Sequence, residues 1–205
     1  MIRIVTLCLL LFTSTAWSSS ILVLGDSLSA AYGMPSKDGW VALLQQRLHQ
    51  QGYQYNVINA SISGETTHGG LTRLTSALDR HQPALVVLEL GANDGLRGAP
   101  LPLIRQNLGQ LIQKSRDSGA EVLLFEMKLP PNYGPGYSQG FSAVYDTVAQ
   151  QYQIAMVPFF IEPVVLKPEL MLPDGLHPNA KAQPELLEQV WPYLQPLLKS
   201  PGESE

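Results

Sequence analysis

Short apolar runs alternate along this chain with longer amphipathic segments, and no other feature limits the possible folds as strongly. Runs of strand length lie at 21–25, 53–59, 84–90, 121–127 and 154–157. Strands separated by helices of about a dozen residues are typical of βαβ units with a parallel sheet. Right-handed crossovers then place helices on both faces of the sheet. We therefore predict one doubly wound α/β domain with about five parallel strands.

The segments between these strands show helical spacing of apolar residues. We predict helices from Trp40 to the stop at Gly52, over 67–78, over 101–118 and over 141–152, and a last helix over 180–198 that Pro184, Pro192 and Pro196 interrupt. Residues 128–137 are rich in proline and glycine, and we predict a loop there. Residues 158–173 are predicted to be irregular and apolar.

The first residues have the pattern of a targeting segment. One arginine, Arg3, precedes an apolar run at 4–12, and the small residues Ala16 and Ser18 follow. This pattern predicts a signal peptide over 1–19 that is cleaved near Ser18 or Ser19, leaving one domain over 20–205 in the periplasm or outside the cell. The apolar run is too short to span a membrane. The single cysteine, Cys8, lies inside it, so the mature chain has neither a disulfide nor a thiol nucleophile.

The charge of the chain argues against one class of partner. Its 205 residues have a formal net charge of −4, and no run of lysine or arginine occurs. A protein that binds nucleic acid usually carries a basic patch. We therefore expect no nucleic-acid partner.

Polar residues follow the first three predicted strands directly. Ser27 comes after the strand that ends at Gly25, Gly64 lies in the loop after the second, and Asn93 follows the third. The carboxyl ends of parallel strands share one edge of a sheet, where ligands bind in open α/β folds. Ser27 supplies a hydroxyl and a backbone N–H, Gly64 a backbone N–H, and Asn93 an amide. These groups predict a nucleophile beside the donors that an oxyanion needs.

A candidate base lies near the end of the chain. His177 can take the Ser27 proton and return it to a leaving group. Asp174 precedes it by three residues, a spacing that lets one carboxylate hold the imidazole in the required tautomer. Taken singly, these residues have plainer interpretations: Ser27 as a helix cap, Asn93 and Gly64 as turn residues, and His177 as a surface histidine. Their joint occurrence at strand ends favours the catalytic interpretation.

The four blocks resemble those of the SGNH (GDSL) hydrolases. They are Gly25-Asp26-Ser27-Leu28-Ser29, Gly64, Gly91-Ala92-Asn93-Asp94 and Asp174-Gly175-Leu176-His177. The resemblance implies a flavodoxin-like three-layer α/β/α sandwich. It also implies Ser27 as nucleophile, His177 as base, Asp174 as its partner, and an oxyanion hole of Ser27, Gly64 and Asn93. Its implied activity is hydrolysis of acyl thioesters, aryl esters and lysophospholipids without a metal or cofactor.

The substrate side is predicted from the apolar loops. We expect residues 129–137 and 158–172 to form an acyl groove, although Phe159, Phe160 and Ile161 fit core positions equally well. The residues predicted to contact substrate are Asp26, Leu28, Met34, Tyr133, Pro158 and Phe159. Glu65 and His68 make only half of a metal site, so we predict no metal. We also expect a monomer without a stable membrane anchor.

Two other functions remain open at this point. One is a carbohydrate or other small-ester deacetylase on the same scaffold, which would prefer acetyl to long acyl groups. The other is a non-catalytic protein that binds acyl chains. Flavin binding is disfavoured, because Asp26 places an acid where a phosphate-binding loop needs N–H donors.

Overall fold

A sheet of five parallel strands forms the centre of the computed structural model, which describes residues 19–201. The strands are β1 Ser19–Gly25, β2 Tyr55–Asn59, β3 Leu85–Glu89, β4 Glu121–Phe125 and β5 Ala155–Val157. Their order is β2-β1-β3-β4-β5, and every neighbouring pair is parallel. The predicted α/β fold with about five parallel strands is confirmed.

The strand order reverses at β1, and the predicted catalytic residues lie at this reversal. The chain goes from β1 to β2 on one side and then returns to β3 on the other. A crevice opens at such a switch point, outside the carboxyl ends of the two strands. Ser27 follows β1 and Asn93 follows β3, so both lie at this crevice. All five residues of β3 are buried, as expected for a central parallel strand.

Helices cover both faces of the sheet. Helix α1 packs against α6 and β2, whereas α4 packs between α2 and α5 in a second layer. The helices are α1 Trp40–Gln50, α2 Thr67–His81, α3 Ala92–Leu96, α4 Leu101–Asp117, α5 Pro135–Tyr152 and α6 Gln183–Leu194. Helix α3 occupies a stretch in which the sequence pattern indicates a turn.

Three of the predicted helices have different limits in the structure, and one of them, α2, continues past residue 78 to His81. Helix α5 begins at Pro135, not at 141, because proline is suited to a first turn where its missing N–H has no helical acceptor. Helix α6 begins at Gln183, next to Pro184, and runs through Pro192 without a break. Pro192 lies near its exposed end and removes only one hydrogen bond. A short 3₁₀ turn, Gln195–Leu197, holds Pro196.

A long-range contact closes the N-terminus of α1. Its capping residue, Gly39, has no side chain to cap the helix, and the Trp40 N–H donates instead to Gln183 Oε1 at 2.9 Å. The Trp40 ring is fully buried against Phe125 and Phe160. The start of α1 is therefore fixed by a side chain from α6, which the local sequence does not reveal.

The predicted signal peptide lies outside the described residues except for Ser19, the first residue of β1. Between residues 19 and 201, no helix has both the length and the apolar character to cross a membrane.

Candidate active site

Three of the predicted side chains form a continuous hydrogen-bonded chain. Ser27 Oγ lies 2.9 Å from His177 Nε2, and His177 Nδ1 lies 2.7 Å from Asp174 Oδ2. An ionised carboxylate only accepts hydrogen bonds, so Nδ1 carries the ring proton and Nε2 is free to accept the Ser27 hydroxyl proton. This is the arrangement that activates a serine.

A tight turn holds Asp174 and His177 in this relation. An isolated bridge pairs Met171 with Pro178, and the Leu172 N–H donates to the His177 carbonyl at 2.7 Å. Inside the turn, Asp174 Oδ1 accepts from the N–H groups of Leu176 (2.9 Å) and His177 (3.0 Å). Partial desolvation works to raise the pKa of Asp174, but these N–H groups and the imidazole lower it to about 2. Asp174 is therefore ionised at neutral pH.

Asp26 connects the nucleophile to Asn93. Its side chain is buried: Oδ1 accepts from the Leu28 N–H at 3.0 Å, and Oδ2 accepts from Asn93 Nδ2 at 3.0 Å. Burial raises the pKa of Asp26 from its usual value, while the Leu28 N–H and the Glu89 carboxyl oppose that rise. The Asn93 amide has a second N–H, which stays available to a ligand.

The short helix α3 carries Asn93 and is anchored from below. Asp94 is buried and accepts from the Thr67 N–H at 2.8 Å and from Thr67 Oγ1 at 2.7 Å. Asn107 Nδ2 donates to the same hydroxyl at 3.0 Å. These contacts fasten α3 to the first turn of α2 and to α4, so Asn93 has a rigid base.

Gly64 lies in an exposed loop, and the Gly64 carbonyl accepts from Arg97 Nη2 at 3.1 Å. The loop is fastened to β1, because the Ile62 N–H donates to the Gly25 carbonyl at 3.1 Å. A Cβ on Gly64 would meet only Arg97 Nη2, at 3.9 Å, so space does not demand glycine here. The backbone does, because φ is +80°. Gly64 does not line the cavity that opens beside Ser27 and His177.

An apolar cavity of about 490 Å³ opens beside Ser27 and His177. Both predicted loops contribute to it, and so do α3 and the His177 turn. Its principal apolar lining residues are Leu28, Leu96, Met127, Leu129, Pro130, Phe159, Ile161, Val165, Leu166 and Leu176. Asp26 and Asn93 also line it. Phe160, by contrast, is fully buried in the core, so the two interpretations of 159–161 apply to different residues.

Three residues predicted to contact substrate do not line this cavity. Tyr133 turns its hydroxyl to the Leu96 carbonyl at 3.0 Å and so supports the wall from behind. The Pro158 carbonyl accepts from Gln189 Nε2 of α6 at 3.4 Å. The Met34 N–H donates to the Ala31 carbonyl at 3.2 Å in a turn. Their contact with substrate stays a prediction.

Two neighbours of the site were not predicted. The Tyr32 ring lies 4.5 Å from the His177 ring, centroid to centroid. It follows Ala31, which has an unusual φ of +59° for a residue with a Cβ. The other is Glu89, whose carboxyl contacts the Asp26 N–H. The sequence does contain a signal for Glu89, because an acid at the end of an otherwise apolar central strand is unusual.

Glu65 forms an ion pair with Arg73 at 2.7 Å. In the part of the chain that the structure describes, no group of three or more His, Cys, Asp or Glu residues is placed to hold a metal ion.

Comparison with known proteins gives a consistent result. A model of the GDSL-like Lipase/Acylhydrolase family matches residues 23–183. Esterase TesA of Pseudomonas aeruginosa is 55% identical over 192 residues, which cover 94% of this chain and 96% of that protein. The Escherichia coli K12 protein named Thioesterase 1/protease 1/lysophospholipase L1 is 44% identical, covering 94% and 90%. A crystal structure of TesA, 56% identical, superposes with a TM-score of 0.86 and covers 88% of this chain and all of that one. The chain belongs to the GDSL-like lipase/acylhydrolase family.

Proposed function

We propose that this protein is a serine esterase that hydrolyses acyl thioesters, aryl and alkyl esters, and lysophospholipids through an acyl-enzyme at Ser27. The observation that carries the proposal is the chain from Asp174 through His177 to Ser27, with Ser27 at an apolar cavity. The names of its relatives, an esterase and a thioesterase/lysophospholipase, support the same class of substrate. The reaction needs no cofactor.

In the first half-reaction, Ser27 Oγ attacks the carbonyl carbon of the substrate while His177 Nε2 takes its proton. The oxyanion accepts hydrogen bonds from the N–H groups of Ser27 and Gly64 and from the Asn93 amide. In the described part of the chain, neither the Ser27 N–H nor the Gly64 N–H donates to a protein acceptor. His177 then protonates the leaving thiol or alcohol as its bond to the acyl carbon breaks. A water molecule repeats the cycle and releases the acid.

The apolar cavity favours acyl chains over acetyl groups. Its lining is mostly aliphatic and aromatic, and burying each methylene of an acyl chain contributes about 0.8 kcal/mol. A non-catalytic binder would not need the Ser27–His177 contact.

The proposal is tested by rates on p-nitrophenyl esters from acetyl to palmitoyl, with mass spectrometry after treatment with a fluorophosphonate. We expect one covalent label on Ser27 and the best rates on medium or long chains. Ser27→Ala should lose both the label and about 10⁴–10⁶-fold in turnover. Ser36→Ala, in an exposed turn, is the matched control. Activity on acetyl alone would favour a deacetylase, and absence of both label and turnover would favour a binding protein.

We further propose that residues 1–19 are removed on export and that the mature chain is a periplasmic or secreted monomer without a membrane anchor. The mass of the protein from a periplasmic extract, together with its elution volume in gel filtration, tests this. An intact Met1 in the exported protein would contradict it.

A further inference from the structure

A buried carboxyl lies behind the active site, and the mechanism above does not use it. Glu89, the last residue of β3, is fully buried. It pairs in register with Gly25 of β1, and a Cβ on Gly25 would come within 2.5 Å of Glu89 Oε2. The glycine of the Gly25-Asp26-Ser27 block therefore makes room for this acid.

The contacts of Glu89 lead to the nucleophile loop. Glu89 Oε2 accepts from the Asp26 N–H at 3.1 Å and from Ser29 Oγ at 2.7 Å. Ser29 Oγ in turn accepts from the buried Trp40 Nε1 at 3.3 Å. Glu89 Oε1 is also buried, and no donor reaches it within residues 19–201. An ionised carboxylate would leave this oxygen's charge uncompensated.

Within residues 19–201, the carboxyl that interacts with the Glu89 side chain is that of Asp26, whose own N–H donates to Glu89 Oε2. A hydrogen bond between two carboxyl groups requires a proton on one of them. No lysine or arginine in the described residues forms an ion pair with either acid. The other titratable groups are His177, which attracts the Asp26 charge, and the buried Tyr145, on which both acids of the pair act together with Asp94 and Glu126.

The position of the proton follows from the two environments. Asp26 accepts from the Leu28 N–H and from Asn93 Nδ2, and both contacts favour its ionised form. Glu89 is more deeply buried. Its burial, followed by the charge of Asp26, raises the pKa of Glu89 well above its usual value. Among the described residues, Glu89 Oε1 has no donor, whereas each Asp26 oxygen accepts an N–H group, so the contacts of the pair favour the proton on Glu89.

We propose that Glu89 is a positioning residue: it stays protonated during turnover and donates to the Asp26 carboxylate, which holds the Asn93 amide at the oxyanion site. This role rests on the proposed esterase function. One proton limits the pair to a single negative charge. A second charge this close to the oxyanion would oppose the negative charge that develops there.

Two substitutions separate the proton from the shape of the side chain. Glu89→Gln is neutral, has the same shape, and can donate to Asp26 while it accepts from the Asp26 N–H. We expect kcat within about threefold of the wild type. Glu89→Leu can neither donate to Asp26 nor accept from its N–H, so Asp26 and Asn93 are no longer held in place. We expect kcat to fall about 10²-fold, close to the loss of one oxyanion donor, with KM little changed. Equal losses in both variants would overturn the proposal.

A double-mutant cycle with Asn93→Ala distinguishes positioning from general destabilisation. If Glu89 acts through Asn93, Glu89→Leu should cost little more once Asn93→Ala is present. Additive losses would overturn the proposal. Rates are normalised to the fraction of sites that a fluorophosphonate labels, so unfolded protein does not contribute.

The proton itself is observable without any substrate. In H₂O-minus-D₂O infrared difference spectra at neutral pH, the wild type should show the C=O stretch of a buried carboxylic acid, and Glu89→Gln should lack it. Absence of the band in the wild type would overturn the proposal. A band in a protein that hydrolyses no ester would instead refute the proposed function and leave the protonated pair intact.

Discussion

The two halves of the active site are built in different ways. The nucleophile side, from Asp26 to Leu28, stands on the central strands and is held by buried side chains that come from distant parts of the chain. The base side, from Leu172 to His177, is an exposed turn whose hydrogen bonds are nearly all local. The first is therefore part of the folded core, whereas the second can be changed at little cost to stability. Changes on the base side should reduce activity with little loss of stability, whereas changes beneath the nucleophile side should reduce stability as well as activity.

The largest effect on activity should come from removing Ser27 on one side of the site and His177 on the other, singly and together. His177→Ala removes the base and should lower kcat/KM by about 10⁴–10⁶-fold on a p-nitrophenyl ester. Because Ser27 and His177 act as a unit, the double variant Ser27→Ala/His177→Ala should be no slower than either single variant. A double variant that loses a further factor of 100 would show that the two residues act independently.

Asp174→Asn should lower kcat by about 10²–10⁴-fold, because an amide can donate to Nδ1 and so stabilise the wrong tautomer. The Asn oxygen can still accept from the Leu176 and His177 N–H groups. We therefore expect the free energy of unfolding at neutral pH to change by about 0.5 kcal/mol or less. Urea denaturation and steady-state kinetics check the two parts. A large loss of stability would contradict the local character of the turn.

Asp94→Ala should show the reverse pattern. It leaves the Thr67 N–H and hydroxyl without their buried acceptor, which should cost about 2–4 kcal/mol in unfolding free energy. Activity per labelled site should fall less than in Asp174→Asn. The comparison of these two variants, measured side by side, is the sharpest test of the contrast between the two halves.

Tyr32→Ala should have a smaller effect on the base side. Loss of the ring contact with His177 should lower kcat/KM by about two- to tenfold, as expected for one aromatic pair. Tyr32→Phe keeps the ring and serves as the control. If Phe is as slow as Ala, the hydroxyl and not the ring is responsible.

The smallest effect should be on the pH dependence of stability, where the two halves have opposite signs. Asp174 has a folded pKa of about 2, below its ordinary 3.8. Its contribution to stability is therefore fully present above pH 3.8 and is lost as the pH falls through about 2. Glu89 has a raised folded pKa, so its contribution is greatest below its ordinary 4.5 and declines as the pH rises above it.

Urea midpoints of the wild type, Asp174→Asn and Glu89→Gln between about pH 3 and pH 8 check both signs. Asp174→Asn should reduce the fall in urea midpoint towards acid pH, and Glu89→Gln should reduce the fall in urea midpoint towards alkaline pH. Parallel curves for the wild type and Glu89→Gln would mean that Glu89 has the same pKa in both states.

The sequence is sufficient to predict those features that depend on residues close together in the chain. The strands and most helices follow from periodicity, and the relation of Asp174 to His177 follows from a turn of three residues. The lining of the cavity is less predictable: Phe159 belongs to it, whereas its chain neighbour Pro158 does not, and neither do Met34 and Tyr133. Sequence proximity does not determine which side of a loop faces a ligand.

The sequence by itself therefore determined the alternation of strands and helices, the serine at a strand end and the acid–base turn. These depend on backbone preferences and on residues a few positions apart. Only the tertiary structure decided that Gly25 makes room for Glu89, that Asp26 joins Glu89 to Asn93, and that Gln183 caps α1. Each of these contacts joins residues more than 60 positions apart in the chain, and burial is what makes them specific, since a buried polar group must find a partner.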